Sequence, residues 1–219
     1  MILDHKFLKT RQRVERSEHP PNLAVRIHRA LSWLERAEDC PDNDARFIFL
    51  WIAFNAAYAQ ELNVQERTVE QVAFEQFLRK LVDLDQKKLL QDLVWKEFSG
   101  SIRVLLDNQY VYQPFWDFQN GKINEESWQR RFSSDKNVAK AAIGKQDTVA
   151  VLVIVLLRLY TLRNQLIHGG ATWNSGVNRD QIRDGTNFLA KLVPLIIELM
   201  LDNPGTLWGE ACYPVVDQE

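Results

Sequence analysis

The chain has little of what several common functions require. Its only two cysteines, Cys40 and Cys212, are far apart, so neither a disulfide framework nor a CxxC metal pair can be built. Reduced thiols in a cytoplasmic protein are the expectation. Four histidines, His5, His19, His28 and His168, are scattered, and neither HExxH nor any other zinc-ligand spacing occurs. No metal or other cofactor is expected. Glycine is scarce, at nine residues, and GxxxxGK[ST], GxGxxG and GxSxG are all absent. Charge of one sign is lacking too. Lys and Arg total 27 against 29 Asp and Glu, a formal net of −2, which excludes a global basic surface but not a local patch. The longest apolar run, Val149–Leu157, stops at Arg158, short of the ~20 residues of a membrane span, so a buried helix and no membrane association are expected. The first residues, MILDHKFLKTRQRVERSEHPP, are too polar for a signal peptide.

What is present is a globular composition, 46% hydrophobic with 26% charged, over 219 residues, enough for one domain with a real core. No stretch alternates convincingly with period two. Apolar residues recur at helical intervals, and the fold class that follows is all-α, an up-and-down bundle with additional short helices and two long C-terminal ones. Residues 1–21 read as a charged arm, with a mobile tail preferred over an RNA clamp for Lys6, Lys9, Arg11, Arg13 and Arg16. Asn22 is placed as the cap of a helix over 23–38. Further helices are expected over 45–61, from a Thr68/Gln71 capping box to about Leu84, and over 86–98 after Asp85. Residues 99–122 suggest short helices and turns, and 124–142 one broken amphipathic helix. A long helix is expected from Asp147 to His168, stopped by Gly169-Gly170. A last one, capped by Asn178 and Gln181 and kinked by Pro194, runs to Asp202 and precedes an irregular tail over 203–219.

The residues that carry chemistry stand at the end of the Asp147–His168 helix: Tyr160, Arg163, Asn164 and His168. Tyr160, Asn164 and His168 are four apart and share a face; Arg163 flanks that stripe. Arg163 and His168 point about 140° apart on an ideal helix, so they converge best on a shared groove or across a two-fold axis. Such a set suits metal-free RNA cleavage. A histidine moves protons near neutral pH, an arginine stabilises the charge that builds on phosphorus, and an asparagine orients either. Spacing alone is weak evidence, since Arg13 and His19 repeat it in the polar arm. The 163–168 pair differs in ending a long apolar helix, in the Asn after its Arg, and in the Gly-Gly behind it.

Arg163-Asn164-x3-His168 on a penultimate long helix resembles the Arg-polar-x(3–5)-His signature of the HEPN superfamily. The stretches Arg158-Leu159-Tyr160, His168-Gly169-Gly170-Ala171-Thr172-Trp173 and Asn178-Arg179-Asp180-Gln181 are similar to the Apea-like group within it. So is Trp51-Ile52-Ala53-Phe54-Asn55-Ala56-Ala57-Tyr58, and the likeness covers roughly 23–200. The resemblance implies a homodimer along the motif helices, with two Arg/His pairs lining one cleft. It also implies a metal-independent endoribonuclease leaving a cyclic phosphate (or 3′-phosphate) and a 5′-hydroxyl. Arg163 and His168 would be catalytic and Asn164 supporting. RNA is the implied substrate, a toxin or antiviral defence effector the implied role, and an antitoxin or activating protein a candidate partner.

Each assignment has a plainer rival. Arg163 and His168 can be a helix terminus with a surface ion pair, Tyr160 a core aromatic instead of an RNA contact, and Asn55 a packing residue instead of one that reaches the catalytic cleft. Trp173, Asn174, Asn178 and Arg179 are either an RNA-facing loop or a turn that orients the last helix. Arg130, Arg131, Lys136 and Lys140, with Trp128 and Phe132, can track phosphates, but interspersed acids favour a solvated helix face. The rival for the whole chain is a non-catalytic helical module that binds RNA or a partner protein.

Overall fold

A computed structural model describes residues 3–58, 67–176 and 178–211. The protein is all-α, with no strand among the described residues. In order the helices are α1 (His5–Glu15), α2 (Pro21–Glu38), α3 (Asn43–Tyr58), α4 (Arg67–Leu84), α5 (Leu89–Asp92), α6 (Ser99–Asp107), α7 (Gln113–Gln119), α8 (Glu125–Gly144), α9 (Thr148–Ile167) and α10 (Arg179–Asp202). Contacts divide the chain into two compact units, Met1–Val72 with Thr186–Glu219, and Ala73–Gly185.

In the first unit, the expected arm is a helix. Asp4 caps α1 by accepting the Phe7 N–H at 2.8 Å, and Leu8 and Gln12, one turn apart, are buried. Arg11 reaches Glu198 at 2.9 Å and Asp202 at 2.7 Å. These anchors are tertiary, and α1 by itself shows mostly charge, which is why the sequence suggests a mobile arm. Asn22 does not cap α2. Pro21 occupies the first turn, where a missing N–H costs nothing, and Pro20 precedes it. Leu23, Ile27, Ala30, Leu31, Leu34 and Ala37 form the buried stripe of α2. In α3, Phe47, Trp51, Phe54 and Tyr58 are buried, with Phe54 stacked on Tyr58 at 4.7 Å, whereas Asn55 is half-buried. Each fully buried side chain of this size contributes about 1.5–3 kcal/mol. Arg26 is buried as well, and its guanidinium donates to the carbonyls of Ala57, Gly209 and Glu210. Buried Arg26 thereby gains acceptors and holds the segment after α10. Cys40 is a buried free thiol, and Cys212 lies outside the described residues, as does the side chain of Thr68 from the expected capping box.

The second unit is organised on α9. Asp147 caps it by accepting the Ala150 N–H at 3.0 Å, and residues including Val151, Leu152, Val155, Leu156, Leu159 and Leu162 are buried. By length and composition α9 could cross a membrane; half of that stretch is buried inside the protein. Arg158 is buried with its guanidinium carbon 4.2 Å from the centre of the Tyr112 ring and 5.5 Å from that of Phe132. The helix expected over 86–98 is instead α5 followed by a π-helical turn over Leu93–Glu97. Lys88 takes a left-handed φ of 57°, and Asp85 accepts the Leu90 N–H at 2.7 Å, so the helix restarts later than the sequence suggests. Residues 125–144 form one unbroken helix, capped by Asn124. Its aromatic side chains turn inward. Trp128 packs edge-on against Phe115 at 5.2 Å and Phe132 lies 5.1 Å from Tyr112, while Arg130 and Arg131 are exposed. Arg130 and Arg131 are therefore turned away from the aromatics into water, whereas Lys136 stays beside them, its amine 5.6 Å from the centre of the Phe132 ring.

Candidate functional site at the end of α9

The last turns of α9 are held by Leu156, Leu159 and Leu162, which are buried, leaving Tyr160, Arg163 and Asn164 half-buried. The helix then stops as the Gly-Gly pair predicts. Gly169 takes φ +69°, a region costly for any residue with a Cβ. The Gly170 N–H donates to the Gln165 carbonyl at 2.7 Å and the Gly169 N–H to that of Leu166 at 3.3 Å. This pairing satisfies carbonyls the helix end would otherwise leave open.

His168 is the last residue before that turn. Its backbone N–H donates to the Asn164 carbonyl at 3.0 Å, and the residue is exposed to solvent. It lies one residue beyond the helix rather than on its final turn. Arg163 Nη1 donates to Asn164 Oδ1 at 2.9 Å, and the guanidinium carbon lies 6.0 Å from the centre of the Tyr160 ring. Arg163 Nε is buried without an acceptor among the described residues. Tyr160, Arg163 and Asn164 thus form one contiguous cluster, with the backbone of His168 bonded to its end.

The other candidates lie on the loop behind the glycines. Trp173 is 74% exposed, and the Ser175 N–H donates to the Thr172 carbonyl at 3.1 Å, closing a tight turn in which Asn174 has φ 53°. Arg179 Nε donates to the Ser175 carbonyl at 2.9 Å, so the guanidinium folds back on its own loop. Asn178 also has a left-handed φ, of 57°, unlike the extended backbone usual for a capping residue. Its Nδ2 donates to Gln165 Oε1 at 2.9 Å.

Gln165 was not singled out from the sequence. Its Nε2 donates to the Tyr110 carbonyl at 2.6 Å, while its Oε1 receives Asn178. One amide therefore ties three segments together: the turn at 109–111, the end of α9 and the start of α10. The only advance signal was an amide, able to donate and accept at once, inside the motif. The second Arg-x5-His pair, Arg13 and His19, is structurally different. The His19 side chain is buried, with Nε2 3.9 Å from Glu15.

Chemically, the α9 end offers an exposed imidazole, a guanidinium steadied by an amide, an accessible indole and several helix-end dipoles. No group of three or more metal-ligating side chains gathers among the described residues. No family model matches the chain, and neither a curated protein nor a solved structure matches it.

Proposed function

We propose that the end of α9 is a metal-independent endoribonuclease site of the HEPN type, completed by a second copy of the chain. The carrying observation is that one helix end bears both an exposed His168 and an Arg163 whose guanidinium donates to Asn164 Oδ1 at 2.9 Å. Oriented cation and accessible imidazole are the two elements that cleavage by a 2′-hydroxyl needs. The 2′-oxygen attacks phosphorus as its proton leaves. The bond from phosphorus to the 5′-oxygen breaks as that oxygen gains a proton. Arg163 stabilises the equatorial oxygens as charge builds. Two copies of the site bring two imidazoles, one for each proton transfer. Trp173 offers a surface on which an unpaired base can stack. A toxin or defence role follows from the motif resemblance alone.

A second reading has its own support. Arg163 is engaged with neutral groups, Asn164 and the Tyr160 ring, as it would be in a non-catalytic module that binds RNA or a protein through this surface.

One experiment separates them. Purified protein is incubated with total RNA in EDTA beside His168→Ala and Arg163→Ala, with product ends mapped and oligomeric state measured. Cleavage leaving 5′-hydroxyl ends, lost by about 100-fold or more in both variants, supports the enzyme. Cleavage unchanged in both variants overturns the assignment. Absence of cleavage in a wild type that still binds RNA favours the module.

A further inference from the structure

Away from the α9 end, the second unit contains a cleft of about 330 Å³ between α6 and α8. Its floor is aliphatic, from Leu106 on one wall and Ala139 and Ile143 on the other. Its rim is cationic. Lys136 is paired across the cleft with Asp107 at 2.7 Å, which leaves Arg103 on α6 and Lys140 on α8 as two exposed cations on opposite walls. Neither has an ion pair with a described carboxylate.

We propose that this cleft binds a small organic phosphate, a phosphate monoester dianion carried on an apolar or planar body. Three observations specify that class. The net charge of the lining is two positive, which matches a monoester dianion. The arginine presents a flat fork of donors suited to two phosphate oxygens, with the lysine as a point charge opposite. The floor has no polar side chain to read a hydrogen-bonding edge, so the body is selected by apolar contact and size. The volume falls in the range of small-molecule sites. Exposed cations alone bind weakly in salt water, and so does a shallow aliphatic floor, so the site needs both halves of the ligand. The inference is independent of RNA cleavage at His168.

The test is calorimetric titration of the full chain with 1-naphthyl phosphate, 1-naphthol and inorganic phosphate. Naphthyl phosphate is expected to bind one equivalent at least about tenfold more tightly than either fragment. Arg103→Glu/Lys140→Glu, on exposed positions, should weaken it by about tenfold or more, and Ile143→Trp should block it by filling the cleft. Val138→Ala should leave it unchanged, because Val138 is an exposed α8 residue outside the lining of the cleft. Thermal melts confirm that each variant is folded. Equal affinity for naphthol, equal affinity for inorganic phosphate, no binding, or binding indifferent to the charge reversals would overturn the proposal. So would a short RNA that outcompetes naphthyl phosphate at this rim, which would make the rim an RNA track instead.

Discussion

The side-chain amide of Gln165 receives Asn178 Nδ2 at 2.9 Å and donates to the Tyr110 carbonyl at 2.6 Å. The loop that follows His168 is therefore not held by its own turn alone. It hangs from a residue inside the motif. Position and order of this loop decide what stands beside the imidazole.

Gln165→Ala removes both bonds. Tyr110 keeps one partner, because Trp116 Nε1 donates to the same carbonyl at 2.8 Å. The expected loss is about 1–2 kcal/mol in urea denaturation, with faster amide exchange over residues 171–178. Unchanged exchange there would show that the tether does not order the loop.

The two ends that flank α9 form a matched pair of opposite sign. At the end of α8, the Asp147 N–H donates to the Ala142 carbonyl at 2.9 Å, and Gln146 sits at φ 53°. At the end of α9 the equivalent position is Gly169, φ +69°, where an added Cβ meets nothing within 4 Å. Only backbone conformation is at stake in both. Gln146→Gly should stabilise by about 0.5–1 kcal/mol and Gly169→Ala should cost about 1 kcal/mol, with Gly169→Asn costing less. Gly170→Ala has a different cause of loss, since its Cβ would lie 3.2 Å from the Gln165 carbonyl oxygen. Equilibrium unfolding measures all four; a neutral Gly169→Ala would contradict the left-handed turn.

Lys9 supplies a pH-dependent effect. Its amine lies 3.5 Å from His28 Nδ1. Burial, and after it the charge of Arg13, lower its pKa below the ordinary lysine value, against the opposing pull of Glu35. The folded state therefore disfavours its proton. The penalty is full below the lowered pKa and vanishes above the unfolded value of about 10.4. Lys9→Met keeps the aliphatic stem and removes the charge. It should be more stable than wild type at pH 7 by less than about 1 kcal/mol, given solvent screening, with the gap closing toward pH 10.5. Melting curves of both proteins between those pH values test this; a gap that stays constant would remove the assigned cause.

The sequence by itself determined the all-α class, because apolar residues recur at helical intervals throughout. It also determined α9 with its stop, because a long apolar run followed by two glycines leaves few alternatives. The start of α9 near Asp147 and the placing of Pro194 inside α10 were legible for the same local reasons. Other features depended on partners distant in sequence. Helix α1 looks like a charged arm until Arg11 finds Glu198 and Asp202. The basic-aromatic strip looks continuous until α8 turns Trp128 inward and leaves Arg130 in water. Tyr160, Arg163 and Asn164 could be picked out by spacing on one helix. The bonds of Gln165 could not, because its two partners lie 55 and 13 residues away. Helical periodicity is written in the local sequence, whereas a side-chain tether exists only once the chain has folded and brought its two ends within hydrogen-bonding distance.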